Sequence, residues 1–162
     1  MPATVRALDV SILQPRDLRG MLATYGPAHV VVRLYLPEES VSQAHTSAQI
    51  ASAAQGGCSV GGYVWCYGDL DPHKTARDAV TLARSSGVTL SILWLHASAF
   101  VVDGCICDPG PDAEWLRAAV TEASTLGTKV GIMTTAAWWQ ASIPDGQDLG
   151  QLPLWLTLPT TD

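Results

Sequence analysis

The sequence predicts an α/β chain in which parallel strands alternate with helices. Three observations carry this. Short apolar runs of strand length recur along the chain, longer stretches with helical spacing lie between them, and the switches fall at Gly, Pro and N-cap residues. Runs that are apolar throughout suit strands buried on both faces. Strict alternation of strand and helix implies parallel pairing through right-handed crossovers. A doubly wound open sheet and a (β/α) barrel both fit. No Gly-x-Gly-x-x-Gly loop follows the first run, so a dinucleotide-binding sheet loses support.

The elements read in order as follows. The first run is Arg6 to Val10. Leu18, Met21, Leu22 and Tyr25 then recur at helical spacing before a Gly26-Pro27 stop. Val30 to Leu36 is the second run, and Ser42 to Gln55 is an Ala-rich helix ending at Gly56-Gly57. Tyr63 to Tyr67 is the third run. The Gly61-Gly62 pair ahead of it reads as a place of close backbone packing. Asp71-Pro72 is an N-cap followed by proline at the first helical position, and that helix runs to Gly87. Leu90 to Leu95 is the fourth run. The Gly/Pro-rich stretch after it, with Asp103, Asp108 and Asp112, reads as a loop with turn and cap residues. Trp115, Leu116, Ala119, Val120, Ala123 and Leu126 line one helix face before Gly127. Val130 to Met133 is the fifth run, Thr134 to Ala141 starts a shorter helix, and Leu154 to Leu158 is the sixth run.

Composition bounds the function. A chain of 162 residues is expected to form a single domain, residues 1–162, with a proper core. It is 48% hydrophobic and 15% charged, which excludes a disordered chain. A net charge of −6 with no basic run argues against nucleic acid and anionic membranes as partners. No apolar run approaches the length of a membrane span. The N-terminus has no secretory signal pattern, so the expected site of synthesis is the cytoplasm, and any extracellular action would need another exit route. The cysteines form no C-x-x-C pair, and no cofactor or metal is expected. A thiolate site shared by Cys66, Cys105 and Cys107 is the sharper reading. Reduced thiols, with Cys58 and Cys66 packed as small apolar groups, are the plainer one.

Chemistry in a strand–helix barrel sits at the C-terminal ends of the strands. The fourth run ends in His96-Ala97-Ser98, and residues two apart share a face. Trp94, His96 and Ser98 therefore face one way, with the last two at the mouth. Asp9 ends the first run as a catalytic carboxylate or as an acceptor for loop amides. Arg33 shares a face with Val31 and Tyr35 and is expected to pair with Asp9. Tyr63, Trp65 and Tyr67 line one face, either as a flat binding surface or as filling of the barrel. Asp69 follows the third run within reach of the mouth, and Asp71 reads as a cap. Glu38 and Glu39 read as solvated loop residues, and His29, His45 and His73 show no metal spacing.

Together these segments resemble the glycoside hydrolase family 25 lysozymes. Leu8-Asp9-Val10-Ser11 looks like the family's opening strand end, and Val30-Val31-Val32-Arg33 like its second strand. Gly62-Tyr63-Val64-Trp65-Cys66-Tyr67 resembles the third, aromatic strand. Leu93-Trp94-Leu95-His96-Ala97-Ser98 falls where the family carries Asp-x-Glu. Trp115 to Val120, Gly131-Ile132-Met133-Thr134 and Leu152-Pro153-Leu154-Trp155-Leu156 are similar to the later helix and strands. The resemblance implies a TIM-type (β/α) barrel, irregular and here incomplete, with about six strands. It implies metal-free hydrolysis of peptidoglycan, with acid chemistry from Asp-x-Glu and the first-strand Asp. In this chain only Asp9 remains of the three. His96 and Ser98 stand at the other two positions, and Met133 stands where the family has Tyr.

The expected site is thus Asp9, His96 and Ser98, with Asp69 as a further candidate. Arg33, Tyr35, Tyr63, Trp65, Tyr67 and Trp155 are expected to contact glycan. Three readings follow. One is a glycan-binding barrel with weak or lost hydrolysis. Another is an active glycosidase on a rearranged set of Asp9, Asp69 and His96. The third is a non-catalytic interaction domain that self-associates through open barrel edges.

Overall fold

A computed structural model describes residues 6–37, 43–102, 105–143 and 148–157. Eight strands and five helices follow in chain order: β1 (Ala7–Val10), α1 (Arg19–Tyr25), β2 (His29–Arg33), α2 (Gln43–Gln55), β3 (Ser59–Trp65), α3 (Pro72–Ser85), β4 (Leu93–His96), β5 (Phe100–Val102), β6 (Cys105–Asp108), α4 (Ala113–Thr125), β7 (Val130–Thr134), α5 (Ala136–Ser142) and β8 (Leu154–Leu156). Six of the strands form one sheet in the order β1-β2-β3-β4-β7-β8, and every neighbouring pair is parallel. The sheet curls into half of a TIM-type barrel. The expected alternation holds for these strands and for all five helices.

Local chemistry sets the boundaries. Asp71 accepts from the backbone N–H groups of His73 and Lys74 at the start of α3, with Pro72 in the first turn. Asp112 accepts from the Trp115 N–H and starts α4. Gly26 ends α1 with a left-handed φ of 55°. Gly61 and Gly62 pack as read from the sequence: a Cβ on Gly62 would stand 2.6 Å from Leu34 Cδ1.

The sheet's alternation sorts residues onto two faces. Val10, Val30, Val32, Val64, Leu93, Leu95 and Ile132 point outward and pack with helix residues such as Ile50, Ala79, Leu116 and Ala119. Val31, Tyr63 and Met133 point inward and form a small second cluster with Trp94 and Trp155.

One expectation fails. The stretch after β4 is not simply a loop: β5 and β6 form an antiparallel hairpin outside the main sheet. The reason is local. Two short, largely apolar segments lie close in sequence and pair directly, Val102 with Cys105 and Val101 with Ile106. Asp103, like Glu38 and Glu39, lies outside the described residues. Asp108 is a tie between loops, since its carboxylate accepts from the Gly110 N–H at 2.6 Å and the Gly68 N–H at 3.2 Å.

Candidate functional site

Parallel register places the inward residues in lateral rows. Asp9 lies beside Val31, which lies beside Gly61. Arg33, Tyr63, Trp94 and Gly131 form the next row. Trp65, His96, Met133 and Trp155 form the row nearest the strand ends. Gly131 is required in its row, because a Cβ there would stand 2.5 Å from the Trp94 indole.

His96 is the centre of the last row. Its ring lies 4.1 Å from the Trp65 ring and 6.2 Å from that of Tyr63. Its Nε2 lies 3.4 Å from Ser98 Oγ, a long contact. Its Nδ1 is buried and has no hydrogen-bond partner. An unpaired N–H costs more to bury than a bare lone pair shielded by a ring, so the geometry favours the Nε2–H tautomer. In that form Nε2 donates to Ser98, and the Ser98 hydroxyl is left to donate outward. His96 is then not a base for Ser98. Burial, reinforced by the Arg33 charge, pulls the imidazole pKa down to about 4. At neutral pH the ring carries no charge.

Arg33 stacks over aromatic rings. Its guanidinium carbon lies 4.4 Å from the Tyr35 ring centre and 5.5 Å from that of Trp65. Tyr35 is buried, and its hydroxyl accepts from the Ile12 N–H at 3.2 Å. It therefore serves the β1–α1 loop as well as the Arg33 stack. Gln49, fully buried, donates to the carbonyls of Ser11, Gln14 and Pro15 and holds the same loop. Sequence reasoning did not single out Gln49. Its one signal was a polar residue at a core-facing position of an Ala-rich helix.

The ion pair expected between Asp9 and Arg33 does not form: among the described residues Asp9 has no ion-pair or hydrogen-bond partner. The reason is register, because Arg33 lies one row nearer the mouth and turns onto Tyr35. Asp9 is exposed as a residue, yet the protein around its carboxyl raises its pKa above the ordinary value by desolvation. The direction is consistent with a strand-end position, while the exposure keeps the effect modest.

The remaining expected residues divide. Trp155 packs edge-on against Trp94 at 5.5 Å, and Tyr67 is half-buried just past β3. Asp69 is exposed and lines a separate groove of about 790 Å³ with Asp108, Asp112, Glu114 and Trp115. Neither Asp9 nor His96 lines that groove. Of its carboxylates, Asp108 ties two loops and Asp112 caps α4. Cys66 is buried, which pushes its thiol pKa far up, whereas Cys105 and Cys107 are exposed. Among the described residues no three His, Cys, Asp or Glu side chains converge as a metal site.

Comparison with known proteins agrees with this architecture. The family model described as lysozyme-like protein 1 matches residues 3–159. A protein of Dictyostelium discoideum described as probable GH family 25 lysozyme 3 is 27% identical over 111 residues, which is 65% of this chain and 22% of that one. The chain spans less than a third of the length of the curated relatives it matches. GHIP, a glycosyl hydrolase 25 of Streptococcus pneumoniae, superposes with a TM-score of 0.68 at 16% identity, over 98% of this chain and 75% of that one. The modular autolysin LytC of the same organism, solved with a synthetic peptidoglycan ligand, gives 0.69 at 14% identity, over 84% and 33%.

Proposed function

The chain belongs to the lysozyme-like protein 1 family, and on that premise we propose that it holds peptidoglycan glycan with little or no hydrolysis. The observation that carries this reading is the β4 strand end. It presents a neutral imidazole and a hydroxyl and no carboxyl.

Glycosidic cleavage in this class of chemistry uses two carboxyl groups, about 5–5.5 Å apart for retention and about 6.5–9.5 Å for inversion. One gives a proton to the leaving oxygen. A histidine with a pKa of about 4 holds that proton in roughly one molecule per thousand at pH 7. When it does hold it, the imidazolium opposes an oxocarbenium-like centre. A serine hydroxyl is too weak an acid for the task. Asp9 remains, as a single carboxyl with no partner of its kind in its row. Loss of a general acid removes a factor of about 10²–10⁴.

Binding survives these losses. Trp65, half-buried, offers a ring on which a sugar face can stack, Trp155 extends the same wall, and Ser98 supplies a donor at the mouth. The solved LytC complex supports the ligand class, since that structural neighbour was seen with a peptidoglycan ligand.

The test has two arms. Incubation with purified peptidoglycan at neutral pH is expected to release no reducing sugar ends above the blank. Co-sedimentation with insoluble peptidoglycan is expected to retain the protein, and Trp65→Ala should weaken that retention several-fold. Robust release of reducing ends, abolished by Asp9→Asn, would falsify this reading and favour a hydrolase built on a rearranged site.

A further inference from the structure

The inner-face row nearest the strand ends is Trp65, His96, Met133 and Trp155, and it holds no carboxylate. The charge that reaches it is positive. Arg33 stems from the row behind, but its guanidinium extends forward over the Tyr35 ring and toward Trp65. That charge is felt at His96, whose pKa it helps to lower. His96 Nε2 is turned to Ser98, which leaves the Ser98 hydroxyl to donate outward. Arg33, Trp65, His96 and Ser98 are each only partly buried, so a ligand can reach them. Among the described residues of the six-stranded sheet, Asp9 is the one inward-facing acid. It lies one row farther from the mouth than Arg33 and makes no ion pair with it.

We propose that this site selects glycan carrying a free carboxylate, which the Arg33 guanidinium receives while the sugar lies against Trp65. The inference rests on the inner face being a glycan site and names the class of glycan that it takes.

The match is chemical. A guanidinium presents five N–H donors in a planar fork that fits the two oxygens of a carboxylate, and it serves several acceptors at once. Stacking on Tyr35 holds the fork in place, so little side-chain freedom is lost on binding. Carboxylates at the β4 strand end would repel an anionic ligand, whereas a neutral imidazole and a hydroxyl do not. A neutral glycan reaches the same aromatic wall but gains nothing from the charge. In peptidoglycan the group appears where the lactyl ether of a muramoyl sugar has lost its peptide. A uronic acid offers the same two oxygens on its ring.

The test compares two forms of one ligand. Glycan strands stripped of peptide by an amidase carry lactyl carboxylates, and the same strands with those groups converted to amides are neutral. Binding of the full chain to each is measured at about 0.15 M salt, where a Debye length of about 8 Å screens the net charge of −6. The acid strands should bind roughly tenfold more tightly, the scale of one hydrogen bond to a charged group. Arg33→Gln should abolish the preference, and Arg33→Lys should keep part of it, since lysine retains the charge without the fork. Equal binding of the two forms, or a preference that survives in Arg33→Gln, would overturn the inference and leave glycan binding standing. Binding of neither form would overturn both. Oligogalacturonate, whose carboxylates lie on the ring, separates the sources. Binding as tight as that of the acid strands assigns selection to the carboxylate alone, and weaker binding assigns it to the lactyl ether. If Arg33→Gln loses its folded circular-dichroism spectrum, Arg33→Lys and the comparison on the unaltered chain decide.

Discussion

The two faces of the one sheet do different work. The outer face is a continuous apolar core in which strand and helix side chains bury each other, with Leu93, Leu95, Ile132, Leu116 and Ala119 fully inaccessible. Among the described residues the inner face holds a small buried cluster of Val31, Tyr63 and Met133, backed by two tryptophans. It also carries Asp9, Arg33 and His96, and the orphaned nitrogens of Trp94 and His96. The fold rests on the first face. The second is left free to hold polar groups that cost stability, which is where functional residues are expected to collect.

Strand β4 carries both faces in four residues, so the comparison can be tested there. Leu95→Ala cuts a fully buried side chain out of the outer core and should cost about 2–5 kcal/mol. Met133→Ala, on the neighbouring strand's inner side, should cost less than half of that. The half-barrel is open on that side, so water can enter the space. Urea unfolding of both variants with equal m-values checks this. Equal losses would mean that the inner face is as much a core as the outer.

The next largest effect separates the faces by pH. His96 titrates near 4 in the folded chain and near 6.5 when unfolded. Between those values the unfolded chain binds the extra proton. Stability is thus fully present above about pH 6.5 and falls as pH drops toward 4. The shift corresponds to about 2–3 kcal/mol once the partial exposure of the ring is allowed for. His29 is depressed in the same direction by burial, so the variant His96→Gln isolates the contribution. Its stability difference from the parent chain should change by that amount between pH 7 and pH 4. A pH-independent difference would show that His96 is solvated and that burial does not hold its ring neutral.

How much of this was legible in the sequence follows the same division. Outer-face strands and helices announce themselves by apolar period and by caps, as Asp71-Pro72 and Gly26 did. The β5–β6 hairpin was missed because its segments are short and lie in a Gly- and Pro-rich stretch. Asp103, Asp108 and Asp112 were read there as turn and cap residues of a loop. On the inner face, parity placed Trp94, His96 and Ser98 correctly on one side. Parity alone does not give register between strands. Arg33 was therefore matched to Asp9, when sheet register sets it one row away, over Tyr35. Asp69 was drawn toward the mouth by its position after β3, but the turn carries it into the groove beside Asp108.

The smallest expected effect is the most specific to the inner face. Trp94 fills space left by Gly131 and meets Trp155 edge-on, yet its Nε1–H is buried with no acceptor. Trp94→Phe loses part of an indole's buried area and removes an unsatisfied donor in the same step. The first costs about 1–2 kcal/mol, and relief of the second returns about 1–3 kcal/mol. The two nearly cancel, so the variant should stay within about 1 kcal/mol of the parent, whereas an outer-face leucine loses several. Thermal unfolding at pH 7 measures the difference. A loss on the scale of Leu95→Ala would mean that the indole N–H has a partner after all, such as an ordered water held between β4 and β8, and that the inner face is better satisfied than its side chains alone indicate.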